Sequence, residues 1–480
     1  MASPALSAET APSERHDRHA HSLRWTPTVG SLVGLGFAVW ALRIGLRPIG
    51  DNSFLTHLAT GRLIVADGVP HRDPYTFTAL GHTWVVQSWL ASLVYGLLDR
   101  WWGSRALQLF TGAVATALGA VLWRLTRPID GLLVRMATML AVIVISTDFW
   151  SERPLLLGLL GLALVMTAVQ GGSAPWWLVP VAWFWTNVHG SFPLGALAIV
   201  AFAIGRRLDG EHPAIELRAL ALFVAGVLAG VVNPFGPRLL TFPIALLRRS
   251  DELKFIVEWG APRFDSTPQR AFLLLFFVAI LTLVRRRSWR TAIPVLVFAG
   301  LALTSMRNIP VAATVFIAAM SPALAGIGSL KTATRMRPAP VMAAAIAVLG
   351  GLVVVAAFEE PAFGVRSYPI GALNWLDDRG LLDGNHRVIT RDYVGNYLEA
   401  AYGPTGSVFV DDRVEVVEPA VLEDHKTLLF GTPGWADVLR SRQADAVLWT
   451  RASPLTRALE IDERWHVVYV DHEWVVALPR

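Results

Sequence analysis

The chain has 480 residues, of which 54% are hydrophobic and 16% are charged, and its mean hydropathy is +0.47. This composition predicts a polytopic α-helical membrane protein. The formal net charge of +5 comes without a groove-binding motif, so nucleic-acid binding is excluded as the function. The absence of cysteine excludes disulfides, thiolate catalysis, cysteine-ligated zinc and iron–sulfur clusters.

The N-terminal region combines a polar tail with an apolar segment. Residues 1–24 are rich in polar side chains, and we expect them to form a disordered cytoplasmic tail. The apolar segment at 29–47 has no small-residue cleavage site and follows Arg15, Arg18 and Arg24. These features predict a retained membrane anchor with the N-terminus in the cytoplasm.

Apolar runs of membrane-span length recur as far as residue 358. Eleven spans are predicted near residues 29–47, 105–124, 132–149, 154–170, 175–187, 190–205, 216–232, 271–284, 290–304, 309–327 and 338–357. The arginine clusters then fall on the cytoplasmic side, as the positive-inside rule requires. These clusters are at residues 124–128, 205–210, 285–290 and 329–337. This topology requires the stretch 83–103 to lie along the interface or to be re-entrant rather than to cross, which its tryptophan-rich ends permit.

In this topology the polar residues collect in external loops. The first loop (residues 51–87) opens with Asp51, at the outer end of the first span. A carboxylate placed where a helix leaves the bilayer is costly unless it is paired or used in function. A structural interpretation is also open, because the sequence DNSF contains good N-cap residues and Asp51 could cap the next helix.

The external loops contain further acidic and basic candidates. Asp148 and Glu152 lie at the end of a predicted span, on the face that carries Asp51, where either could be a second acidic group of the site. Guanidinium groups suit a lipid-linked phosphate because they form bidentate, charge-assisted bonds with its oxygens. The candidates for this role are Arg62, Arg72, Arg153 and Arg307, with Asn308 next to the last of them. Alternatively, Arg153 neutralises a neighbouring carboxylate, and any of these arginines meets lipid headgroups.

Two histidines and an acidic-aromatic pair complete the predicted substrate-binding site. His57 follows Asp51 in the first loop, and His189 lies in WTNVHGSF between two short spans. His189 is either a base or ligand or a hydrogen-bonded residue at a helix end. Glu258 and Trp259 offer a carboxylate and an aromatic platform for a sugar ring, or serve as an interfacial anchor.

The composition changes after the last span. Residues 359–480, the C-terminal domain, show short β-rich runs separated by helical patterns, which predicts a small α/β domain on the external face. The predicted strands are at 387–390, 407–410, 446–450, 465–470 and 474–478. The sequence DDRVE at 411–415 follows a predicted strand, where it is either a ligand-binding edge or a salt-bridged strand end.

The combination of loops and motifs resembles the GT-C superfamily of polyprenyl-phosphate-sugar-dependent glycosyltransferases. The architecture of residues 25–358 and the motifs ERPLL, NVHGSF, NPFG, EWGAP and RNIP carry the resemblance. By this resemblance Asp51 has the first-loop acidic role, Asp148 or Glu152 has the second-loop acidic role, and Arg307 binds phosphate. One departure is that Asn52 follows Asp51 where many members of the superfamily have two adjacent acidic residues.

The resemblance implies inverting transfer of a sugar from a polyprenyl-phosphate donor to an envelope glycan, lipid or protein. An external carboxylate would deprotonate the acceptor, and arginines would stabilise the departing lipid phosphate. No cofactor is expected, and nothing in the sequence supports a divalent metal. The protein is expected in the plasma membrane, in contact with membrane lipids, with the C-terminal domain outside the cytoplasm.

Two other classes of function remain open on the sequence. A non-catalytic GT-C-like scaffold or lipid-binding subunit of an envelope-assembly complex is favoured by Asn52 in place of an acid. A transporter for a polyprenyl-linked sugar is disfavoured, because the charged residues gather at one face rather than at mid-membrane.

The predicted topology can be tested by labelling, because the chain contains no native cysteine. In intact cells a membrane-impermeant thiol reagent should label a cysteine introduced at Ser407 or Ser441, whereas a cysteine at Ser288 should stay unlabelled until the cells are opened. Labelling at Ser288 in intact cells would mean that the whole assignment is inverted.

Overall fold

The computed structural model describes residues 28–249, 257–328, 339–404 and 408–480. The predicted tail at 1–24, the arginine cluster at 329–337 and Ser407 lie outside the described residues.

Helices dominate the described chain up to residue 359, as the hydropathy pattern predicts. In chain order they are α1 Val29–Gly45, α2 Asn52–Asp67, α3 Trp89–Trp102, α4 Ser104–Leu125, α5 Leu132–Ser146, α6 Pro154–Gln170, α7 Leu178–Val188, α8 Pro193–Leu208, α9 Ala214–Ala229, α10 Pro237–Leu247, α11 Thr267–Arg285, α12 Trp289–Thr304, α13 Ile309–Met320 and α14 Ala339–Glu359. Each of the eleven predicted spans coincides with one of these helices to within four residues, except that α13 ends at Met320 where the predicted span continues to residue 327. The predicted helical membrane fold is confirmed.

The helices differ in how well they match the thickness of a bilayer. Within the described residues, five segments are long and apolar enough to cross a membrane: Ser104–Leu125, Leu132–Phe149, Thr267–Arg285, Met306–Leu324 and Pro340–Glu359. The other apolar helices are shorter. With a rise of about 1.5 Å per residue, the 11 residues of α7 cover roughly half of the hydrocarbon core. The number of complete spans stays a prediction.

Helix α3 does not have the length of a membrane span. Its 14 residues rise about 21 Å, whereas the hydrocarbon core is about 30 Å thick. It packs against α2 through two glycines, since a Cβ atom at Gly61 would lie 2.1 Å from the Ser92 carbonyl oxygen and one at Gly96 would lie 2.2 Å from the Gly61 carbonyl oxygen. The position of 83–103 relative to the membrane stays a prediction.

The C-terminal domain is built around a four-stranded sheet. Its elements are α15 Ile370–Asp377, β1 Val388–Ile389, α16 Asp392–Tyr402, α17 Pro419–Phe430, α18 Trp435–Ser441, β2 Ala446–Thr450, α19 Pro454–Ile461, β3 Trp465–Val470 and β4 Trp474–Pro479. The strand order is β1-β2-β4-β3, with β1 parallel to β2 and the other pairs antiparallel. Side chains on both faces of β2 are buried, so the sheet is covered on both sides.

Four of the five predicted strands are present in the sheet. The prediction of a strand at 407–410 is wrong for residues 408–410, the part of this segment that the structure describes. Val408 does not join the sheet but pairs with the first loop: the Phe77 N–H donates to the Val408 carbonyl at 3.0 Å, and the Val408 N–H donates to the Tyr75 carbonyl at 3.2 Å. The hydroxyl of Thr78 donates to the Phe409 carbonyl at 2.7 Å. The hydrogen bonds of this segment are therefore made to the membrane domain.

The first loop and the C-terminal domain share one hydrophobic core. Tyr75 and Trp84 of the loop pack in the same buried cluster as Phe409 and Trp449 of the domain. A shared core makes the domain a fixed part of the structure rather than a tethered tail.

A buried ion-pair cluster lies at this junction. Arg413 donates to Asp73 of the first loop at 2.7 Å, to Glu399 at 3.1 Å and to Asp411. All four side chains are buried, and the guanidinium group also lies 4.9 Å from the ring centre of Tyr75. Asp411 and Arg413, from the DDRVE sequence, thus lock the domain to the loop.

Replacing Arg413 with methionine should loosen this junction strongly. The variant leaves three buried carboxylates without their cation, which costs about 3–5 kcal/mol. We expect a fall of several degrees in the melting temperature of the protein in detergent and faster proteolysis of the C-terminal domain. The control is Arg440→Met, because Arg440 and Asp437 form an exposed pair worth about 0–1 kcal/mol. A melting temperature for Arg413→Met equal to that of the control would contradict the role of the cluster.

Candidate functional site

Asp51 lies where the chain leaves α1 and turns into α2. It occupies the N-cap position of α2, but its side chain makes no capping hydrogen bond. The preceding turn is held in place because Ile49 exchanges hydrogen bonds with Ala362 and Gly364, at 2.8 and 2.7 Å. The structural interpretation of Asp51 as a side-chain cap is therefore not what the structure shows.

The carboxylate of Asp51 forms an ion pair with an arginine from another loop. Its Oδ2 accepts from Arg153 Nε at 2.5 Å and from the Ser151 hydroxyl at 3.2 Å. Its Oδ1 is buried and has no hydrogen-bond partner among the described residues. The side chain is 12% exposed. One oxygen of Asp51 is therefore held by hydrogen bonds, and the other has no partner in the described part of the chain.

Glu152 holds the backbone of the same turn. Its Oε1 accepts the N–H groups of Gly50 and Asp51, both at 2.9 Å. Burial raises the pKa of Glu152, and these hydrogen bonds act in the opposite direction. Glu152 thus fixes the position of Asp51 through the main chain.

Arg153 joins the first loop to the loop before α11. Its Nη1 donates to both carboxylate oxygens of Glu258, at 2.7 and 2.8 Å, while its Nε is bound to Asp51. Burial alone would lower the pKa of Arg153, but the charges of Asp51 and Glu258 outweigh burial and raise it. The guanidinium group is therefore a permanent positive charge between two carboxylates.

The loop that carries Glu258 is tied to the start of α13. The Ser305 hydroxyl donates to the Glu258 carbonyl at 3.0 Å, and the Met306 N–H donates to the Gly260 carbonyl at 2.9 Å. The Arg307 guanidinium lies over the Trp259 ring at 4.3 Å from its centre. Arg307 has no carboxylate within ion-pair distance among the described residues.

Two histidines lie in the electrostatic surroundings of this network. Burial lowers the pKa of His57 to about 4, with the Asp51 charge opposing it and the Arg153 charge adding to it. Burial also lowers the pKa of His189 well below its ordinary value, and the nearby Arg307 adds to the effect. His189 Nδ1 lies 3.2 Å from the backbone N of Ser191, which donates to it. Both rings are therefore neutral at pH 7.

The comparisons with known proteins bear on the fold. No protein-family model and no curated protein sequence matches the chain. The structure is similar to the archaeal oligosaccharyltransferase AglB from Archaeoglobus fulgidus, solved in complex with an inhibitory peptide and a dolichol-phosphate. The TM-score is 0.54, and the similarity covers 87% of this chain and 69% of that chain. The chain has the GT-C fold. Because sequence identity is 11%, the similarity extends to the fold alone.

Several predicted site residues lie elsewhere in the GT-C fold. Arg62 pairs with Asp99 at 2.7 Å and donates to the Ala400 carbonyl at 2.7 Å, so it connects α2 and α3 to the C-terminal domain. Asp148 is exposed on the short turn Thr147–Phe149. Asn308 donates to the Leu301 carbonyl at 3.1 Å, at the end of α12.

Arg72 lies at a small surface pocket, away from Asp51. It donates to the Gly81 carbonyl at 2.8 Å. The pocket has a volume of about 180 Å³ and is lined by His71, Arg72, Thr83, Trp84, Val85, Phe235 and Arg238.

Two residues that were not among the predicted site residues are coupled to Asp51, and both come from the C-terminal domain. Asp412 accepts hydrogen bonds from Asn52 and Ser53, the residues that follow Asp51. Burial raises the pKa of Tyr368, and the charges of Asp51 and Asp412 add to this. The sequence DDRVE marked Asp412 as part of a charged cluster. Nothing in the sequence around it shows that it lies beside the start of α2.

Two carboxylate oxygens of the site are bound by donors of the protein itself. Arg153 holds Asp51 Oδ2, and two backbone N–H groups hold Glu152 Oε1. In the described part of the chain, no group of three or more metal-ligating side chains could hold a metal ion. The expectation that the protein needs no metal stays a prediction.

Proposed function

We propose that this protein is a membrane glycosyltransferase that moves a sugar from a polyprenyl-phosphate donor to an acceptor outside the cytoplasm. The proposal rests mainly on the network of Asp51, Arg153 and Glu258, which joins three loops at one end of a GT-C helical bundle. A carboxylate with a free oxygen, a nearby unpaired guanidinium group and an aromatic ring are the groups that such a transfer requires.

The phosphate of the donor is assigned to Arg307. A cation without a carboxylate partner in a desolvated position is unfavourable until an anion joins it. Arg153, by contrast, is already neutralised by two carboxylates. That AglB was solved with a dolichol-phosphate supports a lipid phosphate as the ligand of this fold. Trp259, under the Arg307 guanidinium group, offers its ring to the donor sugar.

The transfer is a single displacement at the anomeric carbon. The acceptor hydroxyl gives its proton to a carboxylate of the site, for which Asp51 is the candidate from the sequence, and its oxygen bonds to the anomeric carbon. The bond from that carbon to the phosphate oxygen breaks, and the electron pair stays on the phosphate. Arg307 stabilises the charge that develops on the leaving polyprenyl phosphate, and the configuration of the sugar is inverted.

The proposed location of the site follows from the predicted topology. Asp51 is at the outer end of α1 in that topology, and the C-terminal domain lies against the first loop. Both are therefore assigned to the external side of the plasma membrane, where an envelope glycan, lipid or protein is the acceptor. The scaffold hypothesis differs from this proposal in one respect, namely that lipid binds but no sugar is transferred.

Replacing Arg307 with lysine should weaken donor binding although the charge is kept. A point charge cannot reproduce the planar fork that binds two phosphate oxygens. Because hydrogen bonds to a charged group are worth about 1.5–3 kcal/mol, we expect affinity for a short-chain polyprenyl phosphate to fall on the order of 10–100-fold. The measurement is the ligand-induced rise in melting temperature as a function of ligand concentration.

The matched control for this experiment is Arg440→Lys, which changes an exposed arginine of the C-terminal domain and should leave affinity unchanged. Wild-type affinity in the Arg307→Lys variant, or the same loss in the control, would remove Arg307 from the donor site.

A further inference from the structure

The C-terminal domain brings a second carboxylate to the start of α2. Asp412 Oδ2 accepts hydrogen bonds from the Ser53 hydroxyl and from Asn52 Nδ2, the latter at 3.2 Å. Asp412 Oδ1 has a 3.5 Å contact with the same amide, which leaves it open to another donor. The Asp412 N–H donates to Asn396 Oδ1 at 3.1 Å, so α16 fixes the residue in place.

Asp412 and Asp51 differ in the charge of their partners. Oδ2 of Asp51 is bound by the guanidinium group of Arg153, so this carboxylate already holds a cation. The donors to Asp412 are a hydroxyl and an amide, both neutral. Of the two, Asp412 is therefore the carboxylate that forms no ion pair among the described residues.

The surroundings of Asp412 raise its affinity for a proton. Burial and, to a smaller extent, the negative charges of Asp392 and Asp411 raise the pKa of Asp412 to about 7, although the Ser53 hydrogen bond and the Arg153 charge oppose them. A general base works best when its pKa is close to the working pH.

We propose that Asp412 is the catalytic base of this protein and that Asp51 serves to hold Arg153. This inference rests on the proposed function. The proton of the acceptor hydroxyl passes to Asp412 Oδ1, the acceptor oxygen bonds to the anomeric carbon, and the electron pair of the broken carbon–oxygen bond leaves with the lipid phosphate. The C-terminal domain is then half of the catalytic site.

The pH dependence of sugar transfer tests this assignment. The probe is a lipid extract of host membranes that contains the native polyprenyl-phosphate sugars, with an envelope extract as acceptor and the full-length protein in detergent. The wild-type rate should rise with pH through a midpoint near neutrality, because the ionised base is the active form. Asp412→Asn should lower the rate on the order of 10²–10⁴-fold and remove this dependence. Asp51→Asn should keep the dependence, whatever its rate.

A second variant tests the base without removing it. Ser53→Ala deletes a hydrogen bond that favours the ionised form of Asp412, so the midpoint should move to higher pH. A purely structural role for Asp412 would not produce this shift. Ser441→Ala, in the same domain but far from α2 in sequence, should leave the midpoint unchanged. If Asp412→Asn is too unstable to assay, the comparison of Ser53→Ala with Ser441→Ala still tests whether Asp412 is the base.

The outcomes separate the inference from the proposed function. Transfer by Asp412→Asn at the wild-type rate, a midpoint in Ser53→Ala equal to that of wild type, or a loss of pH dependence in Asp51→Asn alone would overturn the role of Asp412 and leave the transferase proposal standing. A stable wild-type protein that binds the lipid but transfers no sugar at any pH would overturn both.

Discussion

The guanidinium group of Arg153 is shared by Asp51 and Glu258, which lie about a hundred residues away from it on either side in the sequence. The three residues come from three different loops, which the packing of the bundle brings together. Removing Arg153 would leave both carboxylates without their cation, so the arrangement depends on this residue. The helical bundle and the chemistry of its polar end are connected through this one side chain.

The second constraint is the contact between the C-terminal domain and the first loop. A shared hydrophobic core and the Arg413 cluster fix the domain over α2, and this places Asp412 beside Asn52. A domain whose role was to recruit another protein would not need to bury its polar residues in this way. The tight junction favours a composite site made by two regions of the same chain over a scaffold with an independent tail.

Most of the fold could be predicted from the sequence, because it depends on local properties. Apolar runs of span length predict the membrane helices, and β-rich runs with turn residues between them predict the strands in the sheet. The segment 408–410 has the same local pattern, but its backbone pairs with Tyr75 and Phe77 of the first loop. Pairing between segments so distant in sequence has no local signal.

The candidate site could be predicted only in part. The sequence selected candidates by their side-chain chemistry and their position in predicted external loops, and the structure brings six of them together: Asp51, Glu152, Arg153, Glu258, Trp259 and Arg307. Arg62 and Asn308 have the same property, but they make local structural hydrogen bonds. Asp412 was missed because its position depends on how the two domains pack. Individual residue types and loop positions therefore identify candidates, and tertiary contacts select among them.

The most direct measurement is mass spectrometry of the lipid product. Purified protein is incubated with host-membrane lipid extract and envelope acceptor, and the free polyprenyl phosphate released from its sugar is quantified over time. Wild-type protein should release free polyprenyl phosphate in step with acceptor glycosylation. A double variant, Asp51→Asn with Asp412→Asn, should release none although its melting temperature is unchanged. Lipid-linked sugar that binds the wild-type protein and remains intact would contradict the account and support a lipid-binding scaffold.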